Sequence, residues 1–166
     1  MFLKKIADEY GIGQTNLHAY VFGEHGDSSF IPWSGSFVSG VHVDEYHTLM
    51  NSRNMNIAPL DKEHKLEYVQ KSGGTIIKYK GATFYAVAIS VCHICKCILN
   101  GSGTALTVST MMHGEYGVDD VCLSALALVG SDGVQTKITT PLTPEETQKM
   151  QASAQKLREI IDGLEI

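Results

Sequence analysis

Val121-Cys122-Leu123-Ser124-Ala125-Leu126-Ala127-Leu128-Val129, then Ser131-Asp132-Gly133, then Val134-Gln135-Thr136-Lys137-Ile138-Thr139, is the stretch that decides the fold. The apolar run is short enough for a strand, and Ser-Asp-Gly turns the chain back into a second run, so the segment reads as a hairpin. Just beyond it lies the clearest helix start in the chain. Thr143 is the N-cap, Pro144 takes the first helical position and Glu146 completes a capping box. Met150, Ala154, Leu157, Ile161 and Leu164 then form one apolar stripe at helical spacing. Antiparallel strands with a helix laid on them make an α+β domain.

Working back from this segment, Thr104 to Thr110 is β-branched and strand-like. Before it two long helices are expected. One begins at Asp61, a good N-cap, and carries Leu66, Val69, Gly73 and Ile76 at steps of three and four. Gly73-Gly74 costs it on the order of 1 kcal/mol per glycine relative to alanine, so a break or a close approach is expected there. The other runs from Ala82 to Leu99 after Gly81 and is apolar nearly all round, as befits a helix buried in a core or between subunits. Nearer the start, Leu17 to Phe22 alternates two faces like a strand, and a loop rich in Gly and Ser runs to about Val43. Leu3, Ile6, Ala7 and Tyr10 have helical spacing, with Gly11 as the stop.

Composition bounds the rest. The 166 residues suit one domain, 1–166, and 43% hydrophobic with 19% charged residues is ordinary for a globular fold. A net charge of −5 leaves no basic footprint for nucleic acid or an anionic membrane. No apolar run nears the ~20 residues that span a bilayer. Met1 to Ile6 meets Asp8 and Glu9 at once, unlike a signal peptide, so a cytoplasmic location is expected. Cys92, Cys95 and Cys97 crowd together, but on a helix turning ~100° per residue Cys97 lies roughly 200° from Cys95. They cannot converge on one tetrahedral zinc, and no metal is expected. Buried reduced thiols are the expected state of all four cysteines.

The chemistry points to Val21-Phe22-Gly23-Glu24-His25-Gly26-Asp27-Ser28. A histidine between two glycines, directly after a strand, sits on a loop where another backbone or a substrate can come close. Spacing alone leaves two readings of His25, a catalytic imidazole and a solvated loop histidine. Gly11-Ile12-Gly13 precedes a strand and is no dinucleotide turn, and no G-x-G-x-x-G occurs after a strand.

Gly23-Glu24-His25-Gly26-Asp27-Ser28 with Ile31-Pro32-Trp33-Ser34 closely resembles the active-site segment of L-lactate dehydrogenases, in the lactate/malate dehydrogenase family. Lys78-Tyr79-Lys80-Gly81-Ala82-Thr83, Val108-Ser109-Thr110, Gly114-Glu115-Tyr116-Gly117 and Asp120-Val121-Cys122-Leu123-Ser124 are similar to later signatures of the family, in the family's order. The resemblance runs from Phe2 to the final helix. It implies the C-terminal substrate domain of such an enzyme, with the N-terminal dinucleotide-binding domain absent from these residues. The implied activity is NADH-dependent interconversion of pyruvate and L-lactate, with His25 as proton donor and acceptor.

Thr83 is implied as a substrate-pocket residue, and Val87, one turn on, as an apolar contact of the nicotinamide ring of NAD. Residue chemistry alone reads Thr83 equally as a helix N-terminal threonine and Val87 as core. His18 matches a histidine that helps bind fructose 1,6-bisphosphate in bacterial relatives. The partner arginine position is Leu3, however, and an isolated histidine holds a phosphate poorly. The resemblance places Met1 at the carboxylate-clamping arginine and the histidine-orienting aspartate before the chain begins. The isolated chain is therefore expected to be inactive. A malate or 2-hydroxyisocaproate dehydrogenase half remains an open alternative, as does a non-catalytic oligomerisation module. Partners expected are a 2-oxo or 2-hydroxy acid, the nucleotide-binding half and further copies in a homo-oligomer.

Overall fold

The computed structural model describes residues 2–164. Met1, which the resemblance aligns with the family's clamp arginine, lies outside the described residues. The chain opens with α1 (Phe2–Tyr10), which buries Ile6, Ala7 and Tyr10. It ends as Gly11 enters the left-handed region at φ 64°, and the Ile12 amide donates to the Ala7 carbonyl across the last turn. A small antiparallel sheet follows, made of β1 (Leu17–His18), β2 (Phe37–Val38) and β3 (Val41–His42), in that order. Only its first two residues realise the strand expected over Leu17 to Phe22. Beyond them the chain leaves that sheet, and Phe22 and Gly23 make single bridges to Phe30 and Ser124 instead.

Sequence reading left the stretch after Val43 without a helix, yet α2 (Val43–Asn51) forms there. Its cap is His42, whose side chain accepts from the Asp44 amide, and histidine is not among the strong N-cap residues. Asp44 and Glu45 in the first turn, with Val43, Tyr46 and Met50 at helical spacing, were the available signal. α1, the small sheet and α2 share one core of Ile6, Tyr10, Leu17, Val38, Val43, Tyr46 and Ile57.

Next come α3 (Lys62–Lys80) and α4 (Tyr85–Asn100). The Asp61 carboxylate caps α3 by accepting from the His64 amide at 3.0 Å, and Gly81 closes it at φ 77°. The buried Lys65 ammonium ties α3 to Glu9 of α1. Gly73-Gly74 neither breaks α3 nor permits a close approach, since a Cβ on either would meet nothing within 4 Å. Their cost is spread over a long helix, and propensity yields to the rest of the segment.

Of the two places expected for the apolar helix, the core or a contact between subunits, the core of this chain is not where it lies. Within this chain only Cys97 of α4 is buried, while Ile89 is 71% and Leu99 85% exposed. The thiols are corrected with it: Cys92 and Cys95 lie on the open face of α4. Cys122 points away from the core because neighbours Val121 and Leu123 point into it, side chains alternating along a strand.

The C-terminal part is the antiparallel sheet β4 (Thr104–His113), β5 (Asp119–Gly130) and β6 (Gly133–Lys137), with α5 (Pro144–Asp162) against it. The hairpin read from the sequence is present, β5 pairing with β6 across Gly130↔Gly133. The capping box is present too: Thr143 Oγ1 accepts from the Glu146 amide at 3.2 Å and a Glu146 oxygen from the Thr143 amide at 3.0 Å. Met150 and Ala154 of the predicted stripe are buried and Leu157 packs partly buried against the same core, while Ile161 and Leu164 are exposed, so the last turns of α5 leave the core. That core holds Phe22, Phe30, Met112, Val118, Val121, Leu123, Ala125, Leu126, Met150 and Ala154. The architecture is the α+β arrangement of antiparallel strands and long helices expected from the sequence.

Candidate active site

The segment 23–29 is a loop closed at its neck. Phe22 and Phe30 exchange backbone hydrogen bonds of 2.8 and 3.0 Å, and both rings are buried in the core behind it. The Gly23 amide donates to the Ser124 carbonyl at 3.1 Å and the Ser124 amide returns a bond of 2.9 Å, which docks the loop on β5. Gly23 needs to be glycine. Its φ is 95°, and a Cβ would come 2.8 Å from Ser153 Oγ.

Two helices hold the loop from either side. From α5, Ser153 Oγ accepts from the Glu24 amide at 2.8 Å and shares a hydrogen bond of 2.9 Å with Ser28 Oγ. Lys156 Nζ donates to Glu24 Oε1 at 3.0 Å. From α3, Gln70 Nε2 donates to the Asp27 and Ser29 carbonyls at 2.8 and 3.0 Å. Burial pushes the Glu24 carboxyl up, but hydrogen bonds from Lys156 and Ser28 outweigh it and hold it below the usual carboxylate range. Glu24 is therefore an anion committed to its own loop.

His25 is exposed at the tip and lines a cavity of about 650 Å³. The cavity lies where the two cores meet: Phe2 and Leu3 of α1, Tyr20 and Phe22, Gln70 and Ser72 of α3, Ser90 of α4, and Thr107 and Ser124 of the sheet all reach it. Its walls mix apolar groups with hydroxyls, which suits a small polar molecule more than a greasy one. The one carboxylate beside His25 in the chain, Glu24, is occupied by Lys156 and the Ser28 amide.

The other expected site residues lie elsewhere. Thr83 lines a separate cavity of about 360 Å³, together with Ile76, Tyr79, Phe84 and Tyr85, which shares no residue with that of His25. Val87 is 55% exposed on the open face of α4. His18 is exposed on β1, opposite Phe37. Within the chain, then, His25, Thr83 and Val87 are not brought into one pocket. Among the described residues no three of His, Cys, Asp or Glu are grouped to hold a metal, and no helix is long and apolar enough to cross a membrane.

Sequence reading missed Ser153, Lys156 and Gln70. Ser153 did leave a trace, as a serine one helical turn from Met150 and beside Ala154 on the apolar stripe of α5. A fully buried polar residue there has to find a partner. Lys156 and Gln70 left none, because surface helices carry such residues routinely.

Comparisons with known proteins agree with this architecture. Residues 2–165 match the family model of the lactate/malate dehydrogenase alpha/beta C-terminal domain. An L-lactate dehydrogenase of Streptococcus pneumoniae is 38% identical over 161 residues, 97% of this chain and 48% of the relative. The chain thus spans about half the length of the curated relatives it matches. Among solved structures, an L-lactate dehydrogenase from Clostridium thermocellum superposes with a TM-score of 0.86 at 34% identity, over 99% of this chain and 52% of that one. The minor L-lactate dehydrogenase from Enterococcus mundtii gives 0.88 at 30% identity, over 99% and 51%. A lactate dehydrogenase from a Medee basin deep-sea metagenome gives 0.89 at 29%, over 97% and 50%. By its sequence over 2–165 and by its fold, this chain belongs to the lactate/malate dehydrogenase family, as the alpha/beta C-terminal domain.

Proposed function

We propose that this chain is the substrate-side half of an L-lactate dehydrogenase, with His25 as the proton donor and acceptor. The observation that carries the reading is the exposed imidazole on the wall of the 650 Å³ cavity, on a loop anchored to β5, α3 and α5. Imidazole is the side-chain type that can both give a proton and take it back near neutrality. As imidazolium it hydrogen-bonds the carbonyl oxygen of a 2-oxo acid and protonates it as negative charge develops there.

NADH supplies the hydride that reduces the carbonyl carbon. Among the described residues both sheets are antiparallel, so the dinucleotide's phosphates have no parallel-strand crevice in this chain. What fits is the nicotinamide edge, which an exposed apolar Val87 can meet. Thr83 and Val87 enter the proposal as residues of the open α3–α4 face that a nucleotide-binding half would cover. His18 has Leu3 where a phosphate-binding arginine would be needed, so regulation by fructose 1,6-bisphosphate is not part of the proposal. A cytoplasmic homo-oligomer is the setting this reading assumes, and the exposed apolar residues of α4 support subunit contacts.

Among the described residues no carboxylate is hydrogen-bonded to the His25 ring and no arginine lines its cavity, and a catalytic imidazole without such groups is slower by several orders of magnitude. The test adds the nucleotide-binding half of a relative in trans, with NADH and, in parallel, pyruvate, oxaloacetate and a branched 2-oxo acid. The chain alone gives no turnover. The complemented pair reduces pyruvate best, and His25→Asn lowers its kcat about 1,000-fold or more. Preference for oxaloacetate would move the assignment to a malate dehydrogenase, and full activity of His25→Asn would end the catalytic reading.

A further inference from the structure

Between the two glycines that flank His25, the loop is filled by a charged strut supplied partly from α5. The Glu24 side chain folds back over its own loop. A Cβ on Gly26 would lie 2.5 Å from Glu24 Oε1, so Gly26 leaves the space that the carboxylate occupies. The same oxygen accepts from the Ser28 amide at 3.4 Å and from Lys156 Nζ at 3.0 Å. On the other side Ser153, with no exposed surface, takes the Glu24 amide and meets Ser28 Oγ. The residues before and after the His25–Gly26–Asp27 tip are therefore clamped to a single helical turn of α5, Ser153 to Lys156. His25 itself is left free to face the cavity.

We propose that Ser153 and Lys156 are positioning residues for His25, acting through the Glu24 amide, the Glu24 carboxylate and Ser28. This rests on the catalytic reading of His25 and extends it to a helix that supplies no atom to the cavity wall. The geometry explains why the loop tolerates an anion next to its imidazole. Lys156, which does not line the cavity, neutralises Glu24, and its own side chain stays 44% exposed. An unpaired carboxylate at Glu24, whose side chain is only 10% exposed, would be costly to bury and would open the loop. Catalytic groups held by such outer supports lose precision when a support is removed, well before the fold is lost.

The test uses the 166-residue chain without substrate, so it does not depend on turnover. Amide exchange at Glu24 and Ser28 and the NMR titration of the His25 imidazole are followed in Ser153→Ala, Lys156→Gln, Lys156→Arg and the control Gln155→Ala. Ser153→Ala and Lys156→Gln should each raise exchange at Glu24 and Ser28 about tenfold or more and move the His25 midpoint. Exchange at Leu123 and Ala125 of β5 should stay as it was. Lys156→Arg should restore both readings, and Gln155→Ala should change neither. Unchanged loop rates, or loop rates rising only in step with β5, would overturn the proposal. If Ser153→Ala does not fold, the Lys156→Gln and Lys156→Arg pair decides. The catalytic role of His25 fails separately, on the His25→Asn turnover described above.

Discussion

The β4–β6 sheet with α5 and the α3–α4 pair both carry many apolar residues, and they bury them to very different extents. In the first, Phe22, Met112, Leu123 and Met150 are fully buried and the His25 loop is bonded to both sheet and helix. In the second, α3 buries only Lys65 and α4 only Cys97, while Tyr79, Tyr85, Ile89 and Leu99 face outward. The contrast separates two sources of helical order. Both helices lie against β5, but α5 buries Met150, Ser153 and Ala154 there, whereas α4 buries Cys97 alone and leaves most of its apolar side chains open, so less of its order comes from tertiary packing. The loop that carries the candidate imidazole is bonded to buried elements, and the face that carries Thr83 and Val87 stays open.

Mutations on the two sides should therefore differ sharply. The largest effect is expected for Phe22→Ala, which empties the core directly behind the His25 loop. Chemical denaturation should show a loss of about 3–5 kcal/mol. Gly23→Ala comes next, because it combines a strained φ of 95° with the approach to Ser153 Oγ. A loss of roughly 2 kcal/mol is expected. A loss as small as a surface mutation would show that the loop neck is softer than its bonds imply.

A pH titration sharpens the comparison further, because the strong ion pair also belongs to the packed side. Lys137 donates to Glu115 at 2.6 Å, and with the His113 amide it holds the Glu115 carboxyl at about 2 against the pull of burial. The folded value lies below the unfolded one. Its stabilisation is thus complete above the ordinary value near 4.5 and is lost as pH falls toward 2. Allowing for screening at a partly exposed pair, Glu115→Gln should remove about 1–2 kcal/mol at neutral pH. It should also flatten stability between these two values, as read by thermal unfolding across pH. The smallest effect should come from Ile89→Ser on α4. A change within about 0.5 kcal/mol is expected, with less self-association by size exclusion. A large destabilisation there would mean that this face of α4 is covered.

Legibility followed the same divide. The hairpin at Ser131-Asp132-Gly133, the Thr143–Glu146 capping box and the Asp61 cap were all readable, since each depends on the chemistry of a few adjacent residues. α2 was not, because its cap is a histidine that works only by accepting from the Asp44 amide. The uninterrupted course of α3 through Gly73-Gly74 was hidden too, as local propensity argued for a break.

For the site, residue type and order marked the His25 loop, but the partners that steady it are far away in the chain. Glu24 lies 129 residues from Ser153 and 132 from Lys156. By itself the sequence determined the hairpin, the helix ends and the choice of an imidazole between glycines, because turn, cap and periodicity are local properties. Only the tertiary structure decided which apolar helix is covered and which stays open, and that Thr83 opens into a different cavity from His25. Burial and convergence depend on what the folded chain brings together, and spacing along the backbone does not encode distance through space.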